Sequence, residues 1–285
     1  MLFIAMISVS TSPIIARLLE DVPAISISFW RMFIGSLLLW ALSIIYKQKP
    51  LSKLNRKKTQ ISGILLGFHF YFFFSAVKMT TIANATFLGT LAPLFTMIIE
   101  IFWLKRMIST SIIISVIVIL LGSSIIVIDN FNFSNNYTIG NIYAIICSIL
   151  LGIGFILSEN IRKDESTISF SRTLYTCAAI TLFILSIIMN QSLINFDNKN
   201  FIGLFFLGIV PTIFGHNSLY YAIKYISPTI IASIPLGEPI IASIIAYFLF
   251  NEVIASQIFI SGIIILSGLF YLSYVNNRDS IISEK

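Results

Sequence analysis

This sequence has very little charge. Of its 285 residues, 11% are charged and 57% are hydrophobic, whereas a soluble domain carries about a quarter charged residues. With a mean hydropathy of +0.96, the apolar content exceeds what one water-facing core could bury. Lipid is therefore the solvent for much of the surface. Aspartate is missing from the apolar runs altogether: Asp21, Asp129, Asp164, Asp197 and Asp279 fall in connections or in the tail. There is no HExxH and no Cys/His cluster, so hydrolytic and metal chemistry lack their parts, and no catalytic residue, metal site or cofactor is expected. The lack of a Walker A sequence excludes direct use of ATP. Cysteine is limited to Cys147 and Cys177, both inside apolar runs without CxxC spacing, and both read as small core residues. No basic n-region or small-x-small cleavage site precedes Glu20-Asp21, so the first run reads as a span and not as a cleaved signal.

What is present in quantity is apolar sequence in blocks of span length. A helix needs about 20 residues to cross the hydrocarbon, and ten runs fit, near 2–19, 25–46, 60–78, 81–104, 108–128, 138–158, 168–190, 200–222, 228–250 and 256–275. Polar residues collect in the connections Lys47–Lys58, Lys105-Arg106, Asp129–Asn136, Glu159–Glu165, Asn190–Asn200 and Asn251-Glu252. Open sheet cannot satisfy its backbone in lipid, and the alternating segments of a barrel are absent. The fold class is an all-α membrane protein of ten transmembrane helices.

The net charge of +6 sits mainly in one short segment, Lys47, Lys49, Lys53, Arg56, Lys57 and Lys58, with no aromatic-interleaved groove. It reads as a cytoplasmic loop, and nucleic acid is not an expected partner. Ten spans with both ends inside also place Lys105, Arg106, Arg162, Lys163, Lys224, Arg278 and Lys285 inside, leaving Lys78, Lys199 and Arg17 outside. That asymmetry predicts a multi-pass protein of a bacterial-type inner membrane with cytoplasmic termini. The lipid bilayer and a small-molecule substrate are the expected partners. The oligomeric state is open, a monomer being the simplest case.

A shift of 146 residues superposes Ala76-Val77-Lys78 on Ala222-Ile223-Lys224, Pro93 on Pro239, and Gly122 on Gly268. A shift of 141 superposes Ile27-Ser28-Phe29-Trp30-Arg31 on Ile168-Ser169-Phe170-Ser171-Arg172. Matched Arg, Lys, Pro and Gly carry weight because they are costly or infrequent in spans. The chain divides into residues 1–133 and 134–285, two five-helix repeats. Five is odd, so the second copy is inverted relative to the first, the arrangement of many secondary transporters.

Several stretches resemble the drug/metabolite transporter superfamily, and within it the EamA-like family. They are Ser8 to Arg17, Phe29-Trp30-Arg31, Ala76-Val77-Lys78 through Ala83-Asn84-Ala85-Thr86 to Ala92-Pro93-Leu94, Gly215-His216, Tyr221 to Tyr225, Glu238-Pro239 and Asn251-Glu252. The resemblance covers essentially the whole chain. It implies two five-helix repeats around a central cavity, in a family whose members mostly export amino acids and other small metabolites. One departure stands out: the family often has Glu at the end of the fourth span of each half, and here Glu252 keeps it while Arg106 takes the equivalent position.

An ionisable group within a span costs about 2.5–3.5 kcal/mol on insertion scales and needs a reason. Glu238, flanked by Pro235, Gly237 and Pro239, and His216 both lie 10–12 residues from the turn at Tyr225–Ser227, which puts them about 15–18 Å deep. They share a depth and can bind a substrate amine or a proton; the bland alternative is a satisfied interhelical hydrogen bonder and a backbone cap. His69 maps beside His216 by the repeat, pointing to symmetric lining of the cavity. Tyr71, Tyr220, Asn84 and Trp30 complete the candidate substrate-binding set, with Thr86 and Asn217 as further polar residues at useful depth. Ordinary packing competes for the aromatics, and cross-helix hydrogen bonding for Asn84. Arg31 and Arg172 read first as structural residues that snorkel to the interface, with a Glu salt bridge or a carboxylate clamp as the alternative. Glu100 reads as a local partner of Lys105-Arg106. Gly63 and Gly67 form a GxxxG.

The predicted function is a secondary transporter of a small metabolite working by alternating access, an exporter of amino acids or related amphipathic metabolites. Uptake or exchange of a cofactor- or nucleotide-like solute is the alternative within transport, and a membrane enzyme or assembly factor is the alternative outside it.

Overall fold

Backbone N–H and C=O groups in hydrocarbon have to be paired within their own segment, and this chain pairs them in helices. The structure is a computed structural model that describes residues 1–127, 135–250 and 256–283. Among these residues there is no strand. Asp129, the Asn251-Glu252 connection and Lys285 lie outside them.

The helices are α1 (Leu2–Leu18), α2 (Ala24–Ile45), α3 (Lys53–Met79), α4 (Ile82–Gly89), α5 (Ala92–Ile98), α6 (Thr110–Val127), α7 (Asn135–Asp164), α8 (Thr167–Ile188), α9 (Asn200–Ile209), α10 (Asn217–Ala222), α11 (Pro228–Ser233), α12 (Glu238–Phe250) and α13 (Ser256–Ser283). Seven helical stretches are long and apolar enough to cross a bilayer, and Leu2–Leu18, Thr110–Ile125 and Phe259–Val275 are shorter apolar ones. Two expected loops are in part helical. α3 begins inside the basic segment at Lys53, where Ser52 Oγ accepts the Asn55 amide at 3.3 Å, so a side-chain cap lets the helix start before its apolar run. α7 continues through Glu159 to Asp164.

Three of the long stretches are interrupted where proline removes a donor. α4 gives way to α5 at Thr90-Leu91, ahead of Pro93, and Thr90 Oγ1 turns back to Thr86 O at 2.9 Å. α9 and α10 are joined through a wide π-type turn, Val210–His216. Pro211 there cannot donate to Leu207 O, and the Thr212 hydroxyl takes that carbonyl at 2.8 Å. α11 and α12 are joined by a tight 3₁₀ turn, Ile234–Gly237, containing Pro235.

Packing exchanges partners under the repeat. α2 packs on α8, α6 on α13, and α5 on α11, each a pairing of repeat-equivalent runs. α3 packs on α7, and their equivalents, the α9–α10 stretch and α1, pack on each other. The α6–α13 contact is reciprocal at residue level: a Cβ on Gly122 would lie 3.0 Å from Ile265, and one on Gly268 would lie 2.5 Å from Ile119, the repeat equivalent of Ile265. Residues 1–127 and 135–283 interleave, and the core lies between the two stretches. Where α3 crosses α8, a Cβ on Gly63 would sit 2.6 Å from both Cys177 Cβ and Leu174 O. The GxxxG is a close-approach site between the halves.

Polar ties close both ends of the bundle. At the end bearing the basic segment, Glu165 accepts from the Ser52 amide at 3.0 Å and from Asn55 Nδ2 at 2.9 Å. At the other end, Lys78 Nζ donates to Leu19 O at 3.1 Å and Glu20 O at 2.8 Å, a cation at the C-terminus of α1.

Gly63→Leu forces α3 off the α8 backbone and lowers the thermal midpoint in detergent by the equivalent of about 1–3 kcal/mol, the usual cost of overpacking. Gly154→Ala, where an added Cβ meets nothing within 4 Å, leaves it unchanged. Burial raises the Glu165 carboxyl, but hydrogen bonds from Asn55 and Ser52, with Arg162 nearby, outweigh it and hold the group below its ordinary value. The tie therefore stabilises fully above the free carboxylate value of about 4.3 and is lost as pH falls through the lower folded value. The gap in thermal midpoint between wild type and Glu165→Gln stays constant above about pH 5 and closes at lower pH.

Candidate functional site

The interrupted helices converge on a small cavity of about 30 Å³ near the middle of the bundle. Val9 and Ser12 of α1, Arg31 of α2, and His69, Phe70 and Phe73 of α3 line it from one half; Leu151, His216, Pro235 and Glu238 line it from the other. Gly89 and Thr90 border it at the α4–α5 break.

Arg31 organises this cavity. Its side chain is 1% exposed, so the protein has to replace its hydration. Nε donates to Thr212 Oγ1 at 3.0 Å and Nη1 to Ser12 Oγ at 3.0 Å. The Phe70 ring lies 4.2 Å below the guanidinium carbon, a cation–π contact that is strongest when desolvated. Nη2 has no hydrogen-bond partner, and no carboxylate lies within ion-pair distance of Arg31 among the described residues. The link to Thr212 follows from Pro211. The hydroxyl that covers the freed Leu207 carbonyl keeps its lone pairs for Arg31.

Glu238 is buried at the start of α12, and no hydrogen bond reaches its carboxylate among the described residues. Its carboxyl lies at the N-terminal end of that helix. His69 Nδ1 lies 2.8 Å from Cys147 O, which sets Nδ1 as the protonated nitrogen and leaves Nε2 as an acceptor. The His216 ring centroid is 6.2 Å from that of His69 and 5.1 Å from that of Phe70. His216 Nδ1 has no partner. The cavity thus presents a guanidinium N–H, a carboxylate and an imidazole nitrogen, all buried and all with unused hydrogen-bonding capacity.

Of the seven substrate-binding candidates, Glu238, His216 and His69 meet here and four do not. Trp30 Nε1 donates to Leu193 O at 2.8 Å and its ring packs edge-on against Phe201, pinning the connection before α9. Tyr220 packs between Phe155 and Phe170. Asn84 Nδ2 joins Thr80 and Asn141 at 3.4 and 3.3 Å, near the far end of α3. Tyr71 lies half-buried beside Phe72, on a side of α3 that does not reach the cavity. Snorkelling of Arg31 to the interface is overturned by its burial. Arg172, its repeat equivalent, lies away from the cavity: it hydrogen bonds Ser43 Oγ and stacks 4.5 Å over Trp40. Ser12 and Thr212 escaped prediction. Thr212 was signalled by its place after Pro211, where a hydroxyl can replace the missing donor.

One solved structure, titled "Crystal structure of protein", superposes on this chain with a TM-score of 0.79 over 97% of this chain and 96% of that one, at 17% identity. At that identity the likeness shows the fold. No curated protein matches the chain. The profile of the EamA-like transporter family matches residues 1–128 and 138–274, nearly the whole length in two stretches. The chain belongs to that family, and so is a multi-pass membrane transporter of the small-solute class.

A second polar cluster joins the halves at the end bearing the basic segment. Arg106 Nη1 contacts Glu100 at 2.8 Å and Nη2 contacts Glu159 of α7 at 2.6 Å. Glu100 also accepts from Thr229 of α11, whose hydroxyl lies 3.1 Å from that of Thr96. Glu100 does pair with Arg106, but it is 1% exposed and its contacts reach the second half. Arg106, which departs from the family pattern, is what neutralises two carboxylates at once. Arg106→Ala leaves Glu100 with only the Thr229 hydroxyl and costs about 1–3 kcal/mol, the usual result of leaving a buried polar group short of a partner. Glu100→Gln with Arg106→Gln costs less than the sum of the two single changes, as read from thermal midpoints in detergent.

Proposed function

We propose that this protein is a secondary transporter that carries a zwitterionic metabolite, an amino acid or close relative, by alternating access between two inverted five-helix halves. Export across a bacterial-type inner membrane, with both termini cytoplasmic, is the direction and placement we favour. The excess of Lys and Arg in connections that meet at one end supports the orientation. Ten spans, with Leu2–Leu18, Thr110–Val127 and Ser256–Ser283 among them, leave an odd number in each half. The exchange of packing partners under the repeat supports two copies related by a twofold, and the odd number lays its axis in the membrane plane.

The observation that carries the substrate class is a cation and an anion that line one cavity without bonding each other. Arg31 Nη2 is free for a carboxylate oxygen and the Glu238 carboxylate is free for an ammonium. A zwitterion satisfies both, and the histidines supply acceptors beside it. A nucleotide-like solute fits less well, because Arg31 is the only permanent cation in the lining. At about 30 Å³ the cavity is roughly tenfold smaller than ordinary ligand pockets, which start near 300 Å³. Loading therefore requires the halves to part. The Glu100–Arg106–Glu159 cluster closes one end and has to loosen for that end to open.

Counterflow in proteoliposomes tests the reading. Wild type exchanges labelled amino acids saturably, while Glu238→Gln and Arg31→Gln each lower exchange by about 10–100-fold, the worth of a hydrogen bond to a charged group. Substrate analogues separate the two roles: removing the amine removes the effect of Glu238→Gln, and removing the carboxylate removes that of Arg31→Gln. Full exchange by both variants would assign the substrate elsewhere.

A further inference from the structure

Two cavities outside the central one run together along the outer side of the α2–α8 pair. The first, of about 340 Å³, is lined by Arg172, Arg56, Gln60, Trp40, Thr176 and Ile180 among others. The second, of about 450 Å³, shares Trp40, Thr176 and Ile180 with it and continues past Phe33, Leu37 and Phe183. The first carries Arg56, Gln60 and Arg172 in its lining and the second is mostly apolar, so together they form a groove with a basic head.

The basic head has no acid to balance it. Arg172 is 7% exposed, and its Nη1 and Nη2 reach only Ser43 Oγ and Lys49 O, neither of which carries charge. Its Nε has no partner. Arg56 lies on the exposed face of α3 and makes no ion pair among the described residues. Glu165, which meets this segment, hydrogen bonds to Ser52 and Asn55 and makes no ion pair with either arginine among the described residues. A buried guanidinium without a counterion calls for an anion from outside the chain.

Length says what kind of anion. From Arg172 to Phe183 is eleven residues of α8, or about 16 Å at 1.5 Å per residue. Half of the roughly 30 Å hydrocarbon thickness is about 15 Å. The groove therefore spans one leaflet, with its charge at headgroup level and its aromatic wall beside the acyl region.

We propose that this groove is a binding site for an anionic glycerophospholipid, its phosphate held by Arg172 and Arg56 and one acyl chain laid between α2 and α8 against Trp40, Phe33 and Phe183. Gln60 stands within the same lining to meet ester and headgroup oxygens, while the Thr176 hydroxyl is taken by Arg172 O, Trp40 and Ser36 and serves to fix the wall. Nothing in this assignment depends on the transported solute.

Trp40 forms part of both cavities and reports occupancy directly. In full-length protein carrying Trp30→Phe and Trp103→Phe, Trp40 is the sole tryptophan, and brominated-chain lipids quench it on contact. In mixed vesicles of brominated phosphatidylglycerol and unbrominated phosphatidylcholine, and in the reverse labelling, quenching gives the relative affinity of the groove. We expect phosphatidylglycerol to be favoured several-fold, with the preference falling to near unity in Arg56→Gln, an exposed position whose change leaves folding intact. Arg172→Gln should act in the same direction. Ile180→Trp, made with Trp40→Phe so that the introduced indole is the probe, should lose the preference by filling the groove. Equal quenching by the two lipids in wild type would overturn the proposal. So would an unchanged preference in Arg56→Gln and Arg172→Gln together. Loss of the preference on adding millimolar inorganic phosphate would assign the arginines to a free anion and overturn the lipid.

Discussion

A guanidinium enclosed in the middle of a membrane bundle has to be solvated by the protein itself, and this structure is arranged around that requirement at Arg31. Two hydroxyls and an aromatic face provide the substitute for water. Each comes from a different helix, so the charge holds α1, α2, α3 and the α9–α10 stretch in register. The requirement also explains why a proline is tolerated beside it. Pro211 breaks the α pattern, Thr212 repairs the freed carbonyl, and the repaired residue becomes a ligand for the arginine. A defect in the backbone and a buried charge resolve each other. What remains unsatisfied, Nη2, belongs to a side chain lining a cavity whose wall also includes the Glu238 carboxyl. An arrangement tuned only for stability would have paired them.

Interleaving of the halves follows from the same absence of water. Between lipid-facing helices there is no hydrophobic gain, so association depends on close contact and on polar ties. The chain obtains close contact with glycine at Gly63, Gly122 and Gly268, and it obtains the ties by crossing the halves: Arg31 to Thr212, Arg106 to Glu159, Glu165 to Asn55.

The helical, membrane-spanning character of the chain was legible because most of its apolar runs are long, and the meeting of His216 and Glu238 at one cavity accords with their similar count of residues from a turn. Which face a side chain takes was not. In a soluble helix the polar stripe marks the outside, but here both lipid and core are apolar, and the moment that separates faces is lost. Arg31 and Arg172 illustrate the difficulty: they match in the repeat, yet one centres the cavity and the other lines an outer groove. Tyr71, Tyr220, Trp30 and Asn84 lie away from the central cavity for the same reason, since an aromatic or amide at the right depth packs equally well on any side. The helical starts at Lys53 and through Glu159 were missed because caps and charge ties extend a helix beyond its apolar length. Arg106 stood out as a departure from the family pattern, but its partner Glu159, 53 positions on, is a contact only the folded chain reveals.

The size of the central cavity constrains how it can work. About 30 Å³ accommodates little more than one water, so the arrangement described is closed around its own polar groups. Opening has to occur somewhere that costs few regular hydrogen bonds. The π-type turn Val210–His216 and the 3₁₀ turn Ile234–Gly237 are such places, and each delivers one of the site residues, His216 and Glu238, at its end. A helix already irregular at those points can change its bend by shifting bonds between alternative carbonyls, whereas α2 and α8, unbroken and packed along their length, resist bending. On the proposed alternating-access reading, the irregular segments are the moving parts and α2 with Arg31 the fixed one, and a bound zwitterion would couple the two by holding Arg31 with one end and Glu238 with the other.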